Sequence, residues 1–595
     1  MFKFSIFKDS DNYTAEQRQQ IRQSASVPLK LSIRAFFKIL VPYWKTRDSL
    51  FSWFLIFCIV SLTSGAIWLA TAINTWYKEF WDTIQNYDID GFKHQLLVFV
   101  ILASIHVCVS VYNAYLRSKL VIRWRRWLTG QVMDDWLKKD LFYKIQLQDR
   151  NTENPDQRIS EDLNSYVSQT ISLLLGTATD LATLITFGVV LWDLSHAVTM
   201  TLWNGYELAL PDGYMLYLAL AYAVIGTTLT FIIGKPLVRL NFMQQRYEAN
   251  FRFSLIRVRE NAESIALYKG AKEESRTLQK RFTDVVHNFI SLIKYEKRLG
   301  FFTLGYLQTA VIFPIIISAP MYFAKIITMG SIMQINSAFG RVQDSLSTLI
   351  SNFSSWASFK AVVDRLALYF DGMHTAYEIE CIKPQKEGRE FKVSGLEVRT
   401  PTGLKLGRGI EFDLKDGDRL LIRGYSGCGK STMIRAIAGI WPYADGTVML
   451  PDNSRALFLS QRPYLPQGTL REAAGYPDAA EHSGLTEKFF KELGLEHLID
   501  KLDEEDIWSQ MLSLGEQQRI AFVRALIIKP KVLFLDEATS ALDEKSEQKA
   551  YALVQEYLKD SIVVSVGHRS SLIRQHTHSL TKNDEGVQWE FGKLA

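Results

Sequence analysis

The run Gly424-Tyr-Ser-Gly-Cys-Gly-Lys-Ser-Thr432 decides how the chain is read. It follows the short apolar stretch Leu420-Leu421-Ile422, which reads as a buried strand. It leads into Met433-Ile-Arg-Ala-Ile-Ala438, which reads as the first turns of a helix. Strand, glycine-rich loop and helix are the context that makes Gly-x-x-x-x-Gly-Lys-Ser a phosphate-binding loop rather than a surface turn. Gly424, Gly427 and Gly429 let the backbone fold close to an anion. The N–H groups of the loop, from Tyr425, Ser426 and Cys428 to Thr432, then point at the phosphates of ATP with the helix N-terminus behind them. Lys430 is expected to reach the β- and γ-phosphates, and the Ser431 hydroxyl to be a Mg²⁺ ligand.

Away from this loop the composition is uneven. The chain has 595 residues, too many for one core. The first ~375 residues carry the long apolar runs and most of the tryptophans, and the remainder reads as soluble α/β. A net charge of +5 is too small for this length to mark a nucleic-acid binder. Cys58, Cys108, Cys381 and Cys428 are scattered without paired spacing, which argues against a disulfide framework or a zinc site. Residues 1–30 read as a polar N-terminal tail with no signal-peptide pattern, although Phe2, Phe4, Ile6 and Phe7 could touch a membrane surface.

Six runs are long enough to cross a bilayer: 52–70, 96–115, 173–192, 214–233, 301–324 and 327–350. The last is more polar, with Gln334, Ser337, Arg341, Asp344 and Ser345 expected on one cavity-lining side. The third carries an acid, Asp180, a candidate for binding a cationic solute. The loop after the second span holds Arg117, Lys119, Arg123, Arg125 and Arg126 among other basic residues, and the loop after the fourth is basic too. The stretch 193–213 has no lysine or arginine. The positive-inside rule therefore places both long loops and both termini in the cytoplasm. Both loops read as helical extensions of the spans. A polar stretch after Phe370 marks the boundary between a transmembrane domain, 31–375, and a nucleotide-binding α/β domain, 376–595.

Four further stretches follow the phosphate loop in order. Gln461 lies in Phe458-Leu-Ser-Gln-Arg-Pro-Tyr464. Next come Leu512-Ser-Leu-Gly-Glu-Gln-Gln-Arg519 and Lys531-Val-Leu-Phe-Leu-Asp-Glu-Ala-Thr-Ser-Ala-Leu-Asp543. His568 follows the strand-like Ile562-Val-Val-Ser-Val-Gly567. An apolar strand ending in Asp536 orients that carboxylate toward Mg²⁺. Glu537 beside it is placed to act as a general base on water.

This order resembles the ATP-binding cassette (ABC) superfamily over the whole domain. The resemblance implies a six-span exporter-type helical fold followed by a P-loop ATPase cassette. It implies that Gln461 senses the metal and the attacking water, and that His568 is the switch histidine. Ser513, Gly515 and Glu516 belong to the signature, with Ser513 and Gly515 expected to close over ATP held by a second cassette. Ser540–Asp543 is the D-loop. One cassette and one membrane domain resemble a half-transporter, which implies a homodimer with two ATP sites.

Two departures stand out. Leu514 replaces the usual signature glycine, and no aromatic residue for stacking on adenine is evident near Leu396-Glu-Val-Arg-Thr-Pro-Thr402, so Arg399 or another side chain takes that place. Arg125-Arg-Trp-Leu-Thr129, Asn154-Pro-Asp-Gln-Arg-Ile159 and Ala438-Gly-Ile-Trp-Pro442 are similar to the peroxisomal fatty-acyl ABC half-transporters. They are also similar to bacterial inner-membrane relatives, among them antimicrobial-peptide and vitamin B12 uptake proteins; Trp76-Tyr-Lys-Glu-Phe-Trp81 and the Ser-Leu-Gly-Glu signature favour the bacterial members. Coupling helices are expected near Asn154–Arg158 and Glu248–Arg257. The solute is a peptide, a cobalamin-like molecule or an acyl-CoA. The alternative is an ATP-regulated channel or sensor, which would keep the motifs without turnover per solute.

Overall fold

The structure, a computed structural model, describes residues 17, 20–21, 27–148, 155–201, 207–452, 454–478, 483–582 and 587–594. Most of the N-terminal tail, with Phe2, Phe4, Ile6 and Phe7, lies outside the described residues, as does Asn154. The chain divides into two compact units, 1–138 with 151–374, and 139–150 with 375–595.

The first unit is built of long helices. Among the described residues, five are long and apolar enough to cross a membrane: Arg47–Gln85, Ile89–Leu147, Pro155–Asp193, Tyr214–Glu260 and Ala271–Phe323. A sixth helix, Met329–Glu378, is long enough but not apolar enough to meet the same standard. At 1.5 Å per residue, the 53 residues of Ala271–Phe323 extend about 80 Å, well beyond a ~30 Å hydrocarbon layer. The helices therefore run far past the membrane, as their uninterrupted helical pattern predicts.

Spans three to six meet in one apolar cluster made by Phe187 and Leu191, Tyr214 and Met215, Met321, and Ile335, Ala338 and Phe339. Spans four and five are also locked by a tyrosine pair. The Tyr222 hydroxyl donates to the Tyr306 carbonyl at 2.6 Å and their rings stack at 4.5 Å. The sixth helix is held at its start by the first span, where Asp82 and Gln85 accept from the N–H groups of Gly330 and Met329. Asn74 reaches the carbonyl of Gln334 one turn further on. Consequently the polar set of this helix does not share one environment. Gln334 and Ser345 are buried, Ser337 is half-buried, and Arg341 and Asp344 are exposed in the single chain. Asp180 is half-buried midway along its helix.

Two elements of this unit have no counterpart in the sequence reading. Leu29–Trp44 is an amphipathic helix that buries Leu31, Ala35, Ile39 and Tyr43, one residue per turn. Asp364 anchors its start, accepting from the hydroxyl of Ser32 and the N–H of Val27. After the third span, Val198–Thr201 pairs antiparallel with Glu207–Leu210.

The loop tips also differ from expectation. Arg158, expected on a coupling helix, is buried and paired with Asp162, which Arg365 grips as a fork at 2.6 and 3.0 Å. The segment that joins the second unit is Leu141–Gln148 instead, with Leu141 and Ile145 buried and Lys144 donating to the carbonyl of Ile379. In the other loop the helix runs unbroken through Glu248–Arg257 to Glu260. The turn comes at Asn261, and the tip is the short helix Ala262–Leu267.

The second unit is an α/β cassette. Its main sheet has six strands in the order Trp589–Lys593, His578–Lys582, Arg419–Arg423, Ile562–Val566, Val532–Asp536 and Ala456–Leu459. All neighbours are parallel except the C-terminal hairpin. Helices cover both faces of such a sheet, which is why Leu420, Leu421 and Ile422 form an apolar run without alternation. A second sheet contains Phe391–Arg399 between Lys405–Leu414 and Ala444–Leu450.

Candidate nucleotide site

Parallel register assembles the site at one edge of the main sheet. Ile422 pairs with Val566, Val566 with Asp536, and Leu535 with Leu459. The residues just beyond those strand ends are Gly424, His568, Glu537 and Gln461, so motifs far apart in sequence leave the sheet side by side. The carboxyl edge of a parallel sheet is where such folds bind ligands.

The phosphate loop has the backbone its glycines permit. Gly424, Gly427 and Gly429 have φ of 156°, 79° and 106°. A β-carbon on Gly429 would lie 2.9 Å from that of Leu406, so glycine is required there on two grounds. The helix Lys430–Ile437 begins immediately after. Lys430 is buried, and its ammonium donates to the carbonyls of Gly424 and Tyr425 at 2.9 and 3.0 Å. Cys428 turns its thiol into the core, which leaves only its backbone for the loop surface. Lys582 supports the loop, with its ammonium bound to the carbonyls of Cys428 and Leu406 and 5.3 Å from the centre of the Tyr425 ring. Sequence reading missed this residue; a lysine at the end of a strand carries no motif.

Ser431 donates to Asp536 at 2.9 Å. Burial raises the Asp536 pKa, the neighbouring Glu537 carboxylate adds to the rise, and the Ser431 bond with Arg435 and Lys430 opposes it. Glu537 has φ of 50°, a left-handed conformation uncommon for a residue with a β-carbon. Its carboxylate stands 3.8 Å from Nε2 of His568. Strain at this point takes the side chain out of the strand's alternation and sets it beside the histidine. Gln461 has an exposed side chain, and its carbonyl accepts from Gln518.

The signature opens the helix Leu514–Ile528 with a capping box. Ser513 and Glu516 bond reciprocally, and His497 takes the other Glu516 oxygen at 2.8 Å. Burial would raise the Glu516 pKa, but the hydroxyl and N–H of Ser513 and the ring of His497 hold it below the usual range. Leu514 is an ordinary first helical residue, half-exposed, so a side chain is accommodated. The crowded position is Gly515, where a β-carbon would lie 3.1 Å from the carbonyl of Ala541. Among the described residues, no hydrogen bond or ion pair joins Ser513, Gly515 or Glu516 to the phosphate loop of the same chain. Arg399 is taken up by ion pairs with Asp445 and Glu397.

Long membrane helices joined to a cassette of this design define an ATP-driven membrane transporter. Residues 36–323 match the family described as ABC transporter transmembrane region 2, and residues 408–540 the family described as ABC transporter. An uncharacterized ABC transporter ATP-binding protein of Haemophilus influenzae is 35% identical, over 89% of this chain and 89% of its own. The chloroplastic ABC transporter D family member 2 of Arabidopsis thaliana is 32% identical, over 94% and 87%. The inner membrane ABC transporter ATP-binding protein YddA of Escherichia coli is 31% identical, over 91% and 96%. Among solved structures, a bacterial Atm1-family ABC exporter with ATP bound shares the fold, with a TM-score of 0.67 at 16% identity, covering 91% of this chain and 95% of that one. The chain belongs to the ABC transporter family. It is a half-transporter, a membrane domain fused to one ATP-binding cassette, with relatives in both the D family and bacteria.

Proposed function

We propose that two copies of this chain form a homodimer that hydrolyses ATP to move a solute across a bacterial inner membrane, with both cassettes in the cytoplasm. In this reading residues 31–375 are the membrane domain and 376–595 the cassette. The observation that carries it is the arrangement at the sheet edge, where Glu537 in a strained backbone stands beside His568 and next to the Ser431–Asp536 pair. The excess of basic residues in the two long loops supports the orientation. The Escherichia coli relative, an inner membrane protein, supports the choice of membrane.

The phosphate loop of one chain holds the triphosphate through its N–H groups and Lys430. Ser513 and Gly515 of the second chain close over the γ-phosphate, and Glu516 acts through Ser513, since one of its oxygens holds the cap and the other is taken by His497. Glu537 takes a proton from the attacking water, and His568 contacts the γ-phosphate. Leu404, exposed two residues before the Leu406 that abuts Gly429, offers its apolar face to the adenine. Mg²⁺ fits the oxygen donors present: Ser431 and Asp536 would hold it with Gln461 nearby, and burial of Asp536 favours a bound cation. When bound, it neutralises charge on the phosphates. We assign coupling to the loop tips Leu141–Gln148 and Ala262–Leu267, where Leu267 and Tyr268 are exposed. ATP binding brings the cassettes together and switches access to the cavity; hydrolysis resets it.

ATP hydrolysis by the purified protein in liposomes tests this, with wild type beside Glu537→Gln and a titration of peptides, cobalamin and acyl-CoAs. The expected result is basal turnover that falls by about 10²-fold or more in the variant while ATP binding persists, with one solute class stimulating wild type. No turnover in an ATP-binding wild type contradicts it.

A further inference from the structure

A cleft of about 440 Å³ at the foot of the first two spans takes no part in the ATP chemistry. It is bordered by Tyr43 at the end of the N-terminal helix, Asp48 before the first span, and Arg123, Arg126, Trp127 and Asp134 on the second. Arg123, Trp127, Gly130 and Asp134 recur at helical spacing, so they form one stripe, and Gly130 leaves it open.

Its depth in the membrane can be read from neighbouring chemistry. The first span carries no charged side chain from Ser49 to Tyr77. Arg123 reaches the level just before that run, where its guanidinium donates to the carbonyl of Asp48 at 3.0 Å and lies 5.1 Å from the centre of the Phe51 ring. Leu50, Trp53, Phe54 and Phe57 are exposed along the following turns, so lipid-facing surface starts directly beside the arginine. Trp44 packs edge-on against both Trp53 and Trp124 at the same level, the composition of a membrane–water interface. Arg126 has no hydrogen-bond, ion-pair or ring partner among the described residues, and it is exposed.

We propose that this cleft binds the headgroup of a phosphatidylethanolamine lipid, with the phosphodiester on Arg126 and Arg123 and the primary ammonium against Asp134. Basic pockets beside transmembrane helices take lipid phosphates. Here two carboxylates balance the two guanidiniums, so a purely anionic headgroup or free phosphate would meet unmatched negative charge. Order along the helix agrees. The arginines lie on the membrane side, and Asp134 follows Arg126 by eight residues, about 12 Å along the axis. Arg126 and Asp134 nevertheless border the same cleft, so their side chains close part of that distance. Phosphate and then amine leave the bilayer in that order. A choline headgroup would offer the Asp134 carboxylate methyl groups where ethanolamine offers three N–H donors.

The proposal rests on the membrane-domain assignment and not on hydrolysis, so it stands or falls separately from Glu537. Native mass spectrometry of the full chain tests it, with dioleoyl phosphatidylethanolamine, phosphatidylcholine, phosphatidylglycerol and inorganic phosphate as probes. Wild type is expected to retain phosphatidylethanolamine about fivefold more than the other two lipids. Arg126→Gln lowers that retention about fivefold, Arg126→Lys restores most of it, and Asp134→Asn brings ethanolamine and choline lipids level. Binding of a fluorescent ATP analogue to the same preparations reports that each variant is folded. Equal retention of the three lipids, or no change in Arg126→Gln, overturns the proposal. Phosphatidylglycerol retained above phosphatidylethanolamine, or displacement of lipid by saturating inorganic phosphate, also overturns it, in favour of an anionic-lipid or free-anion site.

Discussion

Gln518 is fully buried one turn into the signature helix and uses its amide on three groups from two other motifs. It donates to the carbonyl of Gln461 and the hydroxyl of Ser540, and it accepts from the N–H of Ala541. One side chain therefore ties the signature to the Gln461 stretch and to Ser540–Asp543. Gln518→Ala is expected to lower kcat for ATP about tenfold while leaving ATP affinity within about twofold, because the bonds it loses lie outside the phosphate loop. Steady-state kinetics beside equilibrium binding of an ATP analogue checks this split; a loss of affinity with unchanged kcat would contradict it. The residue was not legible in sequence, where Glu-Gln-Gln-Arg reads as a solvated face. The adjacent Gln517 makes a contrasting local use, bonding back to the carbonyls of Ser509 and Leu512. Glu537 and Ser431 were legible because their roles follow from strand ends and loop spacing. The φ of 50° at Glu537 was not, since no local residue pattern marks it.

At the scale of elements, the helix Glu544–Tyr557 and the strand Ile562–Val566 are joined through a buried relay. The hydroxyl of Tyr551 donates to Ser565, Ser565 faces Nε2 of His576 at 2.8 Å, and Nδ1 of His576 faces the carbonyl of Leu572 at 2.6 Å. Burial lowers the His576 pKa from 6.5 to about 4, so the ring is neutral in the fold. The unfolded chain binds the extra proton between those values. Stability is therefore fully present above pH 6.5 and is lost as pH falls toward about 4, to a total of about 3 kcal/mol. The thermal midpoint of nucleotide-analogue binding should drop accordingly between pH 7 and pH 5, and a His576→Gln variant should show a flatter profile. A profile unchanged by the substitution would remove His576 from that account. Elements with a strong period were legible, including the buried strands and the long spans. The helix Leu29–Trp44 was not, because a one-sided stripe of four residues in a basic, aromatic segment is a weak signal beside an uncharged span. The burial of Arg158 was not legible either, because an arginine in a charged stretch looks solvated until Asp162 and Arg365 enclose it.

For the whole molecule, the division into membrane helices and cassette was legible from charge. Long apolar runs with few or no charged residues mark the spans, and basic residues collect in the loops between them. The sixth helix shows the limit of that signal. Met329–Glu378 is as long as its neighbours, yet its polar residues keep it below the apolar standard the other five meet. Arg341 and Asp344 on it are exposed in the single chain. In the proposed mechanism ATP hydrolysis drives solute movement rather than opening a passive path. Solute accumulation in proteoliposomes separates the two cases, using the solute that stimulates hydrolysis, with wild type beside Glu537→Gln and ATP on the cassette side. Accumulation against a gradient by wild type, with none in the variant, is the predicted result. Solute that only equilibrates, and does so equally in Glu537→Gln once ATP is bound, would contradict it and make the protein an ATP-gated channel.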